Sequence, residues 1–212
     1  MSMTDINDNL LTRRDRQRVA TRLRVFETAV AEFRRVGCTD AQIDAIARAA
    51  GVARGTFYFH FPSKEHVLLV LEQMLENQVA AQLMGLRNSR PSLRTILATV
   101  VEGILKVEAQ VGDERLLRDI LAIYVRRFPE PERAEQTFPL VVEIEHQLAG
   151  AAERGLLRPG LPPDQLTVTF LTSVFGVLLT KTDERREALE GLVDVFLSGI
   201  ASDPAPPEGK PK

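Results

Sequence analysis

Almost every apolar run in this chain repeats at three- or four-residue intervals, and no alternating stretch is long enough to propose a strand. Such a chain can bury its apolar groups only by packing helices against helices, so the pattern predicts an all-α fold. The first helix is expected from about Gln17 to Val36, with Val25, Phe26, Ala29, Val30, Phe33 and Val36 on one side and arginines on the other. Gly37 is a natural stop. Thr39-Asp40-Ala41-Gln42 has the pattern of a capping box and opens a short helix to Ala50. Gly51 breaks that helix, Val52 to Phe61 forms another, and after Pro62 the Ser63 hydroxyl can cap a long helix from Lys64 to about Met84. Further helices are expected over Leu93 to Val111, Glu114 to Phe128, Glu132 or Pro139 to Arg154, Asp164 to Lys181 and Asp183 to Ala201. The expected organisation is a flexible arm over residues 1–15, a small helical domain over 16–63, a larger one over 64–202 beginning with the long helix, and a proline-rich disordered tail over 203–212.

The net charge of −2 conceals a split. Residues 13–64 carry eleven basic and five acidic side chains, a balance of +6, whereas residues 71–212 come to −5. One end suits a polyanion and the other does not. The single cysteine, Cys38, excludes an intramolecular disulfide, a thiolate zinc cage and a paired redox motif, and leaves a reducing cytoplasm as the expected compartment. Met1 to Leu11 lacks the apolar core of a secretory signal. Val168 to Leu179 is shorter than the roughly 20 apolar residues that span a bilayer, so no membrane partner is expected. The three histidines, His60, His66 and His146, have neither the spacing nor the carboxylates of a helical zinc site, and no P-loop or Gly-x-Ser-x-Gly elbow occurs. No enzymatic activity, metal or cofactor is expected.

The two short helices around Gly51 have the makings of a helix-turn-helix. Ala47 is small enough for the helix axes to approach, Gly51 supplies the positive φ of the tight turn, and Ile43, Ile46, Val52 and Phe57 set the interhelical angle. The second helix begins with short or uncovered positions, Ala53, Arg54, Gly55 and Thr56, where a recognition helix meets base edges. Phe57-Tyr58-Phe59-His60-Phe61 then holds four of the chain's twelve aromatic residues. Phe57 and Phe61 are expected in the core, while Tyr58 and His60 can turn polar tips toward phosphate oxygens, and Lys64 can offer charge to another. Alternatives stay open for single residues: Tyr58 as packing, His60 bonded within the fold, Arg54 paired with an acid such as Asp44.

Residues 43–64, IDAIARAAGVARGTFYFHFPSK, resemble the DNA-binding core of the TetR (tetracycline repressor) family of bacterial transcriptional regulators. The Ile-Ala, Gly-Val, Gly-Thr-Phe-Tyr-Phe-His-Phe and Ser-Lys elements occur in order at the family spacing, and the likeness extends over about residues 17–72. Beyond residue 85 only the helix pattern is similar. The resemblance implies that Arg54, Gly55 and Thr56 lie against major-groove bases and that Gln42, Tyr58, His60 and Lys64 meet the DNA backbone. Where the family commonly has Thr or Ser at the start of the first motif helix, this chain has Ala41 and Gln42. Arg54 is the expected sequence reader, because a guanidinium can grip guanine O6 and N7 together. The arginines from Arg13 to Arg24 are expected along the DNA flank or in its minor groove.

The same resemblance implies that the acidic C-terminal helices dimerise and hold a small molecule. A homodimer seam is expected from the last two helices, through Phe175, Gly176, Leu189, Leu192, Val193, Phe196 and Ile200. The expected pocket is lined by Ile104, Leu121, Tyr124, Phe128, Phe138, Val142, His146, Phe170 and Ser173, which suits a mainly hydrophobic effector with a few polar atoms. The implied partners are a double-stranded DNA operator with an inverted repeat, that unidentified effector, and a second copy of the chain. The implied mechanism is a repressor released when the effector favours a dimer with wrongly spaced recognition helices. A ligand-binding or protein-interaction module of the same fold, with little sequence-specific DNA binding, is the competing reading. Substitution of Arg54 or Tyr58 discriminates the two.

Overall fold

The computed structural model describes residues 12–127, 138–180 and 183–202. Among them are nine helices: α1 Arg13–Val36, α2 Ile43–Ala49, α3 Arg54–His60, α4 Lys64–Met84, α5 Leu93–Val111, α6 Glu114–Arg127, α7 Pro139–Glu153, α8 Pro163–Thr180 and α9 Arg185–Ile200. The only β-type pairing among the described residues is a lone bridge between Leu157 and Ala201. None of the described helices is long and apolar enough to cross a membrane. The expected tail over 203–212 and most of the arm over 1–15 lie outside the described residues.

Helix α1 begins four residues earlier than its apolar pattern predicts. Thr12 and Asp15 form a complete capping box, the Thr12 hydroxyl oxygen accepting from the Asp15 amide while the Asp15 carboxylate accepts from the Thr12 amide. The box expected at Thr39–Gln42 is not made. Gln42 is the N-cap of α2, but its side chain makes no capping hydrogen bond and donates instead to the Asp40 carbonyl at 3.3 Å.

The chain divides into two compact units, and the division differs from the expected boundary at residue 64. The first unit runs to Leu71 and also takes Asp113–Ile123, the first part of α6. A side chain there explains the addition: Asp119 accepts the backbone N–H of Cys38 at 3.2 Å, sealing the loop after α1. Within this unit α1 packs on α2 and α2 on α3. Val25, Ala29, Phe33, Ile46, Ala47, Phe57, Phe61 and Val67 are all at most 3% exposed and make the core. The helix-turn-helix corner turns at Gly51, whose φ of +64° an L side chain rarely adopts. The Val52 amide donates to the Ala47 carbonyl across the corner at 3.0 Å, and Arg24 Nε donates to the Ala50 carbonyl at 2.9 Å, tying the corner to α1. Burial, more than any neighbouring charge, pushes the Cys38 thiol up to about 11, so it behaves as a small protonated core group.

The second unit comprises Glu72–Gly112 and the residues from Tyr124 onward. In it α5 packs on α7 and α9, and α8 on α7 and α9. Gly103 of α5 lies against Val79 of α4, where a Cβ would come within 2.8 Å of a Val79 methyl, so only glycine permits that approach. Glu143 of α7 is 2% exposed and accepts hydrogen bonds from the Arg87 guanidinium and from the Gln147 amide, the latter at 3.0 Å. Burial pushes the Glu143 carboxyl up, but those two donors and the Arg87 charge outweigh it and hold it below the ordinary carboxylate value. Gln147 also donates to the Leu83 carbonyl at 3.0 Å, satisfying the C-terminal turn of α4.

Candidate nucleic-acid interface

Helix α3 is seven residues long, and at 100° per residue its positions separate cleanly into an inward face, an outward face and two flanks. Phe57 and Phe61 point inward, 0% and 1% exposed, with ring centroids 6.1 Å apart and Phe61 6.4 Å from Phe26. Gly55 and Phe59 stand opposite them. Arg54 and Tyr58 occupy the flank toward α2, and Thr56 and His60 the flank toward α1.

On the α2 side, Arg54 Nη1 lies 3.0 and 3.2 Å from the two carboxylate oxygens of Asp44. The Arg54 guanidinium carbon is 5.8 Å from the centroid of the Tyr58 ring. Tyr58 is 42% exposed, so its ring is not core packing. On the α1 side, Arg14, Asp15, Gln17, Arg18 and Thr21 face Thr56, Phe59 and His60 across a hollow of ≈ 520 Å³. Arg14, Arg18 and Arg22, spaced one turn apart, form a ladder on α1. The Arg18 guanidinium stacks 5.1 Å from the Phe59 centroid and that of Arg22 4.7 Å from the Phe61 centroid. Residues 16–20 and 22–24 of α1 are exposed, and its buried face begins at Val25. Burial first, and then the charges of Arg18 and Arg22, hold the His60 imidazole below its ordinary value.

The arrangement therefore brings together Arg54, Gly55, Thr56, Tyr58 and His60 on one short helix beside exposed Gln42. Lys64 behaves differently from expectation. Its ammonium donates to the Thr39 and Ala41 carbonyls, the second at 3.3 Å, because the first turn of α4 abuts the loop leading into α2. Phe59 was not among the expected contacts, yet it is 65% exposed at the centre of the outward face. Its signal was in the sequence: two residues from Phe57 and two from Phe61, it must point away from the core they define.

The expected effector-lining residues scatter. Phe128 lies outside the described residues. Leu121 belongs to the first unit, with the start of α6. His146 is exposed, because it sits on the opposite side of α7 from buried Ile144 and Leu148. Ser173 is half-buried and spends its hydroxyl on the Thr169 carbonyl at 2.8 Å. Val142 is also half-buried. Ile104, Tyr124, Phe138 and Phe170 are interior. Tyr124 has its ring 5.4 Å from that of Phe138 and 4.8 Å from that of Phe175. Burial, with the carboxylates of Glu76 and Glu72 adding to it, raises the Tyr124 phenol well above its ordinary value, so it is a neutral hydrogen-bonding group. Glu72 and Glu76, buried one turn apart on α4, were missed as interior residues because carboxylates on a long helix read as solvated surface.

The expected dimer seam is also redistributed. Phe175, Leu189, Val193 and Ile200 are at most 6% exposed within their own chain, and Phe196 packs its ring 5.1 Å from Phe170. Gly176 is exposed and Leu192 half-buried. The faces that α8 and α9 leave open carry Val168, Gly176, Leu179, Gly191, Val195 and Gly199.

A tight corner at Gly51, a short second helix with exposed Arg54, Tyr58 and Phe59, and a flanking ladder of arginines define a helix-turn-helix unit with a basic flank. Residues 25–71 match the family model described as bacterial regulatory proteins, tetR family. The HTH-type transcriptional regulator EthR of Mycobacterium tuberculosis is 49% identical over 47 residues, 22% of each chain, so the match spans about a fifth of that relative's length. The repressor SmeT of the Stenotrophomonas maltophilia multidrug efflux pump SmeDEF has a similar fold, with a TM-score of 0.64 at 22% identity over 90% of this chain and 96% of that one. The Thermus thermophilus TetR-family repressor FadR, solved with lauroyl-CoA, gives 0.61 at 26% identity over 89% and 100%. Over residues 25–71 this chain is similar to the tetR family of bacterial regulatory proteins, and over most of its length its fold is similar to that of the two repressors.

Proposed function

We propose that the protein is a dimeric, ligand-responsive transcriptional regulator, a repressor that binds an inverted-repeat operator and is released by a small, mainly hydrophobic effector. The observation that carries the DNA-binding part is the surface of α3, where exposed Gly55 and Phe59 stand between a flank of exposed Arg54 and Tyr58 and a flank of half-buried Thr56 and His60. Arg54 reads guanine, Phe59 offers its ring to thymine methyl groups, and Tyr58, Thr56, His60 and the Arg14–Arg18–Arg22 ladder fix register on the backbone. The dimer is supported by the open faces of α8 and α9, and the effector by the aromatic interior around Tyr124, Phe138 and Phe175. Helices α4 and α6 each contribute residues to both compact units, which offers a covalent route for coupling effector to operator. Coupling of this kind is reciprocal: effector weakens operator binding by the factor that operator weakens effector binding.

The test is selection from a random duplex library at moderate salt, where phosphate attraction alone no longer retains DNA. Enrichment of an inverted repeat is the expected outcome. Retention that is only unselective and salt-sensitive would sink the proposal.

His60 adds a pH signature. In the free protein its folded value lies below the ordinary 6.5, so it is neutral near neutral pH. A phosphate placed beside it favours the imidazolium, so DNA binding takes up a proton and tightens as pH falls toward the folded value. Between about pH 7.5 and 6 the affinity is expected to rise several-fold beyond that of His60→Gln, measured by fluorescence anisotropy at constant ionic strength. Parallel pH profiles for the two proteins would remove His60 from the interface.

A further inference from the structure

Among the charged groups on the α2–α3 face, Asp44 is out of place. It is a carboxylate on the surface assigned to a polyanion, 58% exposed at its side chain, and it is paired with the residue assigned to read sequence, itself 60% exposed. The pair spans ten residues and joins the first turns of the two motif helices. Stability does not account for it, since an ion pair this exposed contributes almost nothing. What the pair does accomplish is geometric. A guanidinium is a rigid planar fork with five N–H donors, and both Asp44 oxygens are on Nη1, at 3.0 and 3.2 Å. The Tyr58 ring lies 5.8 Å away on the same helix, its hydroxyl 3.5 Å from Nη2, and limits rotation from the other side. Nη2 donates to that hydroxyl but carries two N–H groups, so the Nε–Nη2 edge still has a pair of parallel donors, the arrangement that meets guanine O6 and N7 together.

We propose that Asp44 is a specificity-determining residue of the DNA-reading face: it positions Arg54 to present its Nε–Nη2 edge to a guanine and withholds that charge from non-cognate DNA. This rests on the reading of α3 as a sequence-reading helix. With a cognate guanine in place, Arg54 keeps Asp44 on Nη1 and gains two base contacts. At a wrong base the carboxylate already satisfies the guanidinium, and its own negative charge opposes any turn of Arg54 toward a neighbouring phosphate. Discrimination therefore comes from a competitor built beside the reader as well as from the reader itself.

The test compares the wild-type chain, Asp44→Ala, Arg54→Ala and the double variant, using the repeat recovered by library selection and each single-base change in one half-site. Asp44→Ala is expected to melt with the wild type, because the pair is exposed. It should bind unrelated duplex more tightly, with a log affinity against log salt slope steeper by about 0.9, the increment of one added phosphate contact. Its preference for guanine at one position of each half-site should fall about tenfold, the discrimination contributed by one well-made base contact. Arg54→Ala should lose that preference entirely, and adding Asp44→Ala to it should change nothing further. Asp44→Ala with the wild-type base profile and salt slope, where Arg54→Ala loses discrimination, overturns this role alone. A wild type that selects no sequence overturns the reading of α3 and this role with it.

Discussion

Val195→Arg is expected to convert the proposed dimer into a monomer and to lower its affinity for an inverted-repeat operator by about 10²–10⁴-fold, the range lost when two linked binding events become one. Affinity for an isolated half-site should hardly change. Val195 is 70% exposed, the most exposed large apolar side chain among the described residues. It stands one turn from Gly191 and one turn from Gly199, and a Cβ built at either glycine, or at Gly176, meets nothing within 4 Å. That open ground beside Val168 and Leu179 lets a second pair of helices approach closely. An arginine at the centre of such a seam would be buried without an opposite charge, which costs several kcal/mol. Leu189, Val193 and Ile200 do not serve as seam probes, because they are core and a charge there is expected to destabilise the unit itself. Sedimentation equilibrium of Val195→Arg, with anisotropy on full and half operators, is the measurement. A variant that stays dimeric places the seam elsewhere.

Phe57→Ala is expected to destabilise the N-terminal unit by about 3–5 kcal/mol, the usual cost of emptying a buried phenyl site. Against a total of about 5–15 kcal/mol for an ordinary domain, that is enough to populate the unfolded state at growth temperature. Phe57 is fully buried, edge-on to Tyr58 at 5.6 Å and 6.1 Å from Phe61. Because Phe61 in turn packs on Phe26 and beneath the Arg22 guanidinium, a cavity at Phe57 loosens the whole attachment of α3 to α1. DNA binding should be lost through the fold and recover on cooling or with a stabilising osmolyte. Urea unfolding followed by circular dichroism gives the shift in midpoint. A change under about 1 kcal/mol would mean that the site collapses around the smaller side chain.

These two residues bracket what was legible in advance. Phe57 belongs to a local pattern: an aromatic at i and i+4 beside a glycine corner assigns its face without reference to the rest of the chain. Helix α4 was readable from Lys64 to Met84 for the same reason, with apolar spacing and a serine ahead of it. The start of α1 was not, because its capping box at Thr12 and Asp15 precedes a basic stretch with few apolar residues to mark the face. Val195 escaped notice because a helical apolar stripe looks alike whether it faces its own chain or a partner. Periodicity alone puts the whole stripe on α9 in the seam, whereas Leu189, Val193 and Ile200 are core and the neighbouring Val195 is open.

The amino-acid sequence by itself determined the helical class, the helix-turn-helix at residues 43–61 and the excess of basic over acidic side chains in residues 13–64. All three follow from forces acting within a few residues: helical periodicity, the glycine corner and the density of arginine. Only the tertiary structure decided that Lys64 spends its charge on two backbone carbonyls, that Asp44 holds Arg54, and that Arg87 comes to rest on a glutamate 56 residues away. Those pairings depend on which helices meet and at what depth, and a lysine or aspartate has the same local preferences whichever partner the packing brings to it.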